Sequence, residues 1–289
     1  HQCYTSQFPR NVVSVNLWHG MPVKRIGWMS SKQVNRPRFT YELAASEFWR
    51  PIVAACMRPR KDVLVTGLPR CDRFSADDSV AVRRHLGGEA ELCSKLVVWL
   101  PTYRHTERGD PEADGIDFHN EAQMPGFDPE AFESWLTARN IVCVIKPHPL
   151  GPRPRVRATG PLRIMDDEAL GACGLTLYGL LGGSDALLTD VSSVYVDYLL
   201  LNRPVIHAFA DREAYGATRG YTFDWTEDYF AGPVADTMAG VQTALEDVLA
   251  GRDTHAARRA RLRELFHARP NDPAAASLLT QLGLKPAAE

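Results

Sequence analysis

Apolar and polar positions alternate in blocks along the chain, and the blocks change period. Short runs of apolar or β-branched residues at 12–18, 39–45, 63–66, 95–100, 141–145, 162–165, 186–189 and 205–209 predict strands. Between them, 3.6-residue periodicity predicts helices over 46–57, 76–86, 175–181, 192–201 and 236–249, with another opening at Asp128 and a last one over 273–282. Asp128-Pro129-Glu130 is a cap followed by a first-turn proline, and Phe132, Trp135 and Leu136 supply that helix's inner face. In the last long helix Met238, Val241, Leu245 and Val248 share one face. Pro51 falls inside the 46–57 helix and opposes it. Two stretches, 106–127 and 211–232, lack periodicity and predict long loops.

The alternation of strand and helix from about residue 60 to 250 implies a parallel sheet covered by helices on both faces. In such folds the strand ends collect on one edge, and ligands bind there. That edge would gather Arg70, Thr102, Arg104, Lys146, His148, Ser192 and Ser193. The run Leu187 to Asp197 is central to it: a buried strand, a turn at Asp190, then two serines opening a helix, whose free N–H groups favour an anion. Each reading has a plain rival. Asp190 or Ser192 can simply cap the helix. Arg70 can pair with Asp72 or a nearby acid, and His19, at the end of the 12–18 strand, can be satisfied by loop carbonyls.

Composition changes this picture little. The 289 residues suit two domains, and 45% hydrophobic with 24% charged residues is globular. A formal net charge of -2 gives no support for a nucleic-acid partner. The cysteines form no CxxC, and Cys143 lies in an apolar strand pattern, which points to buried thiols in a reducing, cytoplasmic compartment. No apolar run reaches the roughly 18 residues of a membrane span, and no signal peptide is visible. Residue 1 is His, so the sequence is expected to begin part-way into a longer protein. The arginines at 252, 258, 259, 261, 263 and 269 could face anionic lipid or a polyanionic acceptor, or form a solvated helix face. No acidic pair has an obvious metal-binding spacing, which leaves only a divalent cation carried by a substrate diphosphate.

Several segments in order resemble the CDP-glycerol glycerophosphotransferase family of teichoic acid and capsule polymerases and primases. They are Asn16-Leu17-Trp18-His19-Gly20-Met21-Pro22, Thr66-Gly67-Leu68-Pro69-Arg70-Cys71-Asp72, Pro101-Thr102-Tyr103-Arg104, Lys146-Pro147-His148-Pro149 and Leu188-Thr189-Asp190-Val191-Ser192-Ser193. Asn202-Arg203-Pro204 and the loop with Glu213, Tyr215 and Arg219-Gly220 follow. The resemblance implies an α/β fold of GT-B type. Residues 1–70 would be the remaining part of a first, acceptor-side Rossmann-like domain, 71–250 the nucleotide-binding Rossmann-like domain, and 251–289 C-terminal helices. It implies transfer of glycerol phosphate, or a related polyol phosphate, from a CDP-polyol to a hydroxyl of a lipid-linked acceptor, with release of CMP, at the inner face of the membrane. His19 and His148 would be the essential histidines. Ser192 and Ser193 would lie near the diphosphate, with Asp190, Arg70, Thr102, Arg104, Lys146 and Arg219 around the donor. Two other readings stand beside it: a GT-B glycosyltransferase using a nucleotide sugar, and a non-catalytic module that binds an anionic polymer through the 252–269 arginines.

Overall fold

The computed structural model describes residues 11–17, 20–30, 38–74, 79–104 and 114–284. Trp18 and His19 fall outside these, as does His105. Among the described residues the strands form two sheets, both wholly parallel. The first is β1 (Val15–Asn16), β2 (Tyr41–Ala44) and β3 (Asp62–Val65), in that order. The second comprises β4 (Lys95–Leu100), β5 (Ile141–Ile145), β6 (Leu162–Ile164), β7 (Ala186–Thr189), β8 (Val205–Ala208) and β9 (Val234–Ala235). Its order is β6-β5-β4-β7-β8-β9. Counted from β4, that is the dinucleotide-fold order, which reverses direction between its first and fourth strands, here β4 and β7.

The central strands are buried on both faces, which is why they read as unbroken apolar runs rather than alternating ones. Period two still sorts their side chains. Leu96, Val98, Leu100, Val144 and Leu187 join one core, while Val97, Trp99, Cys143, Ile145 and Leu188 join the other. The first core continues without a break beneath the small sheet, through Leu43, Ala44, Trp49 and Val63. Pro51 proves compatible with its helix because the helix is Trp49–Met57 and the proline stands in the first turn, where the N–H has no intrahelical partner to lose.

Three expectations need correction. Residues 211–232 are not one long loop: Arg212–Thr218 is a helix, and a 3-10 turn covers Glu227–Tyr229. A helix over Asp167–Ala172, capped by Asp166, and the two-residue strand β9 were not predicted. The helix expected over 175–181 is Leu177–Gly183: it runs on through Gly182 and Gly183, which form its last turn because both lie in the core where no side chain is needed.

The C-terminal helices return to the small sheet. In the loop after Ala256–Phe266, the Ala268 N–H donates to the Ala45 carbonyl at 2.9 Å, and Ser46 Oγ donates to the Leu265 carbonyl at 2.8 Å. The Asp72 carboxylate caps helix Ala274–Gln281, accepting from the Ala274 and Ala275 N–H groups, each at 2.8 Å. Many arginines of 252–269 are engaged locally: Arg259 is buried against Asp253 at 2.7 Å, Arg252 meets Asp247 at 2.8 Å, Arg258 donates to the Glu227 carbonyl and Arg263 to Asn271. Among the described residues no helix is long and apolar enough to cross a membrane.

Candidate functional site

Register brings the strand tips together. Leu100 of β4 pairs with Thr189 of β7, and Thr189 pairs with His207 of β8. The Thr189 hydroxyl donates to the Leu100 carbonyl at 2.7 Å and locks the first pair. The next residue on β7, Asp190, therefore lies beside the turn that leaves β4. Its carboxylate accepts from the Thr102 N–H (3.0 Å), the Thr102 hydroxyl (2.6 Å), the Arg104 guanidinium (2.9 Å) and the Ser192 N–H (3.1 Å). Burial alone would raise its pKa, but the Arg104 charge, the Thr102 hydroxyl and the charge of Lys24 hold it below the usual carboxylate value. Arg104, only 2% exposed, forks its other side onto Asp211, with two bonds of 2.7 Å. His207 completes the support. Its Nδ1 donates to the Asp190 carbonyl at 3.0 Å, and its Nε2 accepts from the Ala231 N–H at 3.2 Å. Burial lowers its pKa to about 4, so the ring is neutral with a fixed tautomer.

Beyond the β4 and β5 tips opens a cleft of about 290 Å³, lined by Thr102, Tyr103, Asn120, Gln123, Pro147 and His148 among others. The Tyr103 and His148 rings lie 4.5 Å apart. His148 Nδ1 accepts from the Leu150 N–H at 3.1 Å, which leaves the proton of the neutral ring on Nε2. Ser192 and Ser193 stand half-buried at the start of helix Val194–Tyr198. Neither hydroxyl makes a hydrogen bond among the described residues, and Ser193 gives its helix no side-chain cap. No side chain caps this helix: Asp190 takes the Ser192 N–H in the turn before it, and Ser193, its N-cap residue, makes no side-chain bond to it.

The segment after the first strand crosses to this edge. A Cβ built on Gly20 would meet Ser193 Oγ at 2.1 Å, so only glycine permits that approach. Val23 and Arg25 exchange backbone bonds with Thr222 and Gly220, each at 3.0 Å. Between them Lys24 places its ammonium 6.0 Å from the Tyr103 ring centroid and 5.9 Å from that of Tyr215. Burial lowers its pKa to about 8; the charges of Arg219 and Arg104 act the same way, and Asp190 and Asp114 oppose them.

The structure therefore gathers Thr102, Arg104 and Ser192 around the Asp190 carboxylate, with Ser193 next in the chain and His148 at the neighbouring cleft beside Tyr103. It does not present every expected cation to the cleft. Arg70 forks onto Asp197 at 2.9 Å and bonds Tyr178, pinning the helix that follows Ser193. Lys146 is buried against Asp167 at 3.0 Å. Arg219 pairs with Asp114 at 2.9 Å. Arg104 is a strut between two aspartates. His19 lies outside the described residues, one position before Gly20. Sequence reasoning missed Asp211, His207 and Lys24. The first two follow or end an apolar strand, the same signal that singled out His148, and Lys24 sits in a short loop segment with no such signal. Among the described residues no group of three or more His, Cys, Asp or Glu side chains is placed to hold a metal ion.

A family model for CDP-glycerol:poly(glycerophosphate) glycerophosphotransferases matches residues 2–281. The chain is similar to the teichoic acid ribitol-phosphate polymerase TarL of Staphylococcus aureus, 22% identical over 263 residues, covering 84% of this chain and 43% of the relative. It is also similar to a teichoic acid glycerol-phosphate transferase of that species, 25% identical over 276 residues, covering 86% and 64%. The chain thus spans about two fifths to two thirds of the length of these relatives. A solved structure of the wall teichoic acid polymerase TagF superposes with a TM-score of 0.68 at 20% identity, covering 92% of this chain and 65% of that one. That likeness bears out the expected GT-B-type α/β fold with parallel sheets.

Proposed function

The chain belongs to the CDP-glycerol:poly(glycerophosphate) glycerophosphotransferase family, and from that premise we propose that it carries the donor-binding machinery of a polyol-phosphate transferase. In this reading a CDP-polyol lays its diphosphate at the tips of β4 and β7, and its nucleoside end enters the cleft beside Tyr103 and His148. A hydroxyl of a lipid-linked teichoic-acid or capsule-type acceptor attacks the phosphorus that bears the polyol. The new P–O bond forms as the bridge to the cytidine phosphate breaks, and CMP leaves. The acceptor reaches the site at the inner face of the membrane, where the protein sits peripherally.

The observation that carries this reading is the pair of hydroxyls on Ser192 and Ser193. They have no partner within the described residues and stand where the strand order reverses, with the backbone beneath them held by Asp190. A diphosphate supplies the acceptors those hydroxyls lack. His148 suits donation rather than proton abstraction, because the Leu150 N–H occupies its Nδ1 and its Nε2 keeps the proton. It would steady the donor phosphate and the departing CMP. The family resemblance makes His19 an essential histidine, and imidazole chemistry suits it to the general-base role, since an imidazole titrates near the pH at which a hydroxyl must be relieved of its proton. Arg104, Asp190, Asp211 and His207 are positioning residues. The 252–269 arginines, many already engaged, give the polymer-binding alternative little to stand on.

The test is to incubate the intact protein with CDP-glycerol, CDP-ribitol, UDP-sugars and GDP-sugars and to follow nucleotide release. CMP from a CDP-polyol is the expected result. UDP or GDP from a sugar donor would replace this reading with the glycosyltransferase one.

A further inference from the structure

We propose that Lys24 supplies the positive charge that meets the donor diphosphate, in place of the arginines that the sequence offers for that task. The inference rests on the polyol-phosphate reading and adds a residue to it.

Every cation expected around the donor is already committed. Arg70 is held by Asp197, Arg104 by Asp190 and Asp211, Lys146 by Asp167, and Arg219 by Asp114. Moving any of them onto a phosphate would strand a carboxylate, several of them buried. Lys24 differs. Its ammonium makes no ion pair within 4.0 Å and no hydrogen bond among the described residues, and it rests between the Tyr103 and Tyr215 rings. The backbone on either side of it is clamped by Gly220 and Thr222, so the side chain is delivered to the β4 tip by fixed scaffold. Tyr103 also carries His148 on its ring, which puts Lys24 and the donor cleft on one aromatic platform. The Tyr215 hydroxyl is buried without a partner in the same neighbourhood, so the site holds a further polar atom awaiting one.

The charged and titratable groups facing Lys24 are Asp190 and Asp114, which favour its protonation, and Arg104 and Arg219, which oppose it. Tyr103 and Tyr215 carry its contacts, and Arg25 is its neighbour on the segment. Burial leaves the ammonium with a pKa of about 8, half its charge lost in mildly alkaline solution. A dianionic diphosphate would restore it, since a nearby opposite charge favours the protonated form. The rival role is a remote counter-charge for Asp190. That role predicts no response to an anion.

The chain has six lysines, which makes selective labelling informative. The intact protein carrying lysine labelled with ¹³C at Cε is titrated by NMR alone, with CDP and with inorganic pyrophosphate. A Lys24→Arg variant assigns the signal. The Lys24 pKa is expected to rise from about 8 to about 9 or higher with either ligand. Lys24→Met should weaken CDP binding by about tenfold or more and leave cytidine binding unchanged, and Lys24→Arg should retain CDP. An unmoved pKa, or CDP binding as tight in Lys24→Met as in the parent, overturns the proposal. If the protein turns over a CDP-polyol while Lys24 stays silent, Lys24 alone is wrong. If pyrophosphate moves Lys24 but no CDP-polyol is turned over, the Lys24 site stands and the polyol-phosphate reading falls.

Discussion

At the scale of single residues, the division of labour between the histidines follows from one hydrogen bond. The Leu150 N–H at His148 Nδ1 makes Nε2 a donor, and a donor at a phosphate stabilises charge that grows as CMP departs. His148→Ala in the intact protein should lower CMP release by about 10² or more, since the ring lies beside Tyr103 at the cleft. A stoppage-free variant, assayed at saturating donor, would remove His148 from the chemistry. His19→Ala should lose at least about two decades for the general-base role. His148 was legible in the sequence because proline on both sides fixes its loop at the end of a clear strand. The partners of Arg104 were illegible for an equally definite reason. Its charge is visible in the sequence, but its partner Asp211 lies 107 residues away, and nothing local says that the guanidinium is already taken.

At the scale of elements, the turn after β7 is a joint between strands rather than a helix cap alone. Asp190 ties the β4 exit to the β7 exit, and Arg104 extends the tie to Asp211 beyond β8. Asp190→Asn keeps the size but replaces one of the two acceptor oxygens by an NH2 group, which leaves two of the four donors without an acceptor. It should cost at least about 2 kcal/mol, measured by urea unfolding, and loosen both tips at once. An unchanged unfolding midpoint would mean that the joint does not hold the edge. The strands forming this joint were legible: β4 and β5 coincide with the apolar runs 95–100 and 141–145, because strands buried on both faces leave uninterrupted apolar sequence. Strand β9 and the helix Asp167–Ala172 were not. Two residues cannot display a period, and a six-residue helix that opens Asp-Glu shows a cap signal without an apolar face. The helix Arg212–Thr218 hid for a related reason. Its one buried residue is Tyr215, so its sequence reads as polar loop.

At the scale of the whole molecule, two buried groups pull the pH dependence of stability in opposite directions. Burial raises the Glu42 pKa from 4.5 to about 7, only partly offset by the Asn16 amide at 2.8 Å. The folded state then holds this proton more tightly than the unfolded chain. Its contribution is complete below pH 4.5 and is lost as pH rises to 7. His207 is the reverse: with its pKa lowered from 6.5 to about 4, its contribution is complete above pH 6.5 and is lost as pH falls to 4. His267, also lowered by burial, adds to the second slope. With two lowered histidines set against one raised glutamate, the parent should gain stability as pH rises through the overlap of the windows, while Glu42→Gln should gain on the parent as pH rises from 4.5 to 7, by up to about 3 kcal/mol. Denaturant unfolding at several pH values reads this, and a gap that stays constant with pH would refute a raised Glu42. The same scale joins the two sheets: the 20–25 segment carries Gly20 onto Ser193 and Lys24 onto Tyr103, so the small sheet supplies part of the large sheet's ligand edge. The claim on which the functional account turns is that this edge grips a diphosphate through Ser192 and Ser193. Calorimetric titration of CDP and of cytidine into the parent and into a Ser192→Ala/Ser193→Ala double variant tests it most directly. The account predicts that the variant loses about tenfold or more in CDP affinity while cytidine binds as before; equal CDP affinity in the two proteins would contradict it.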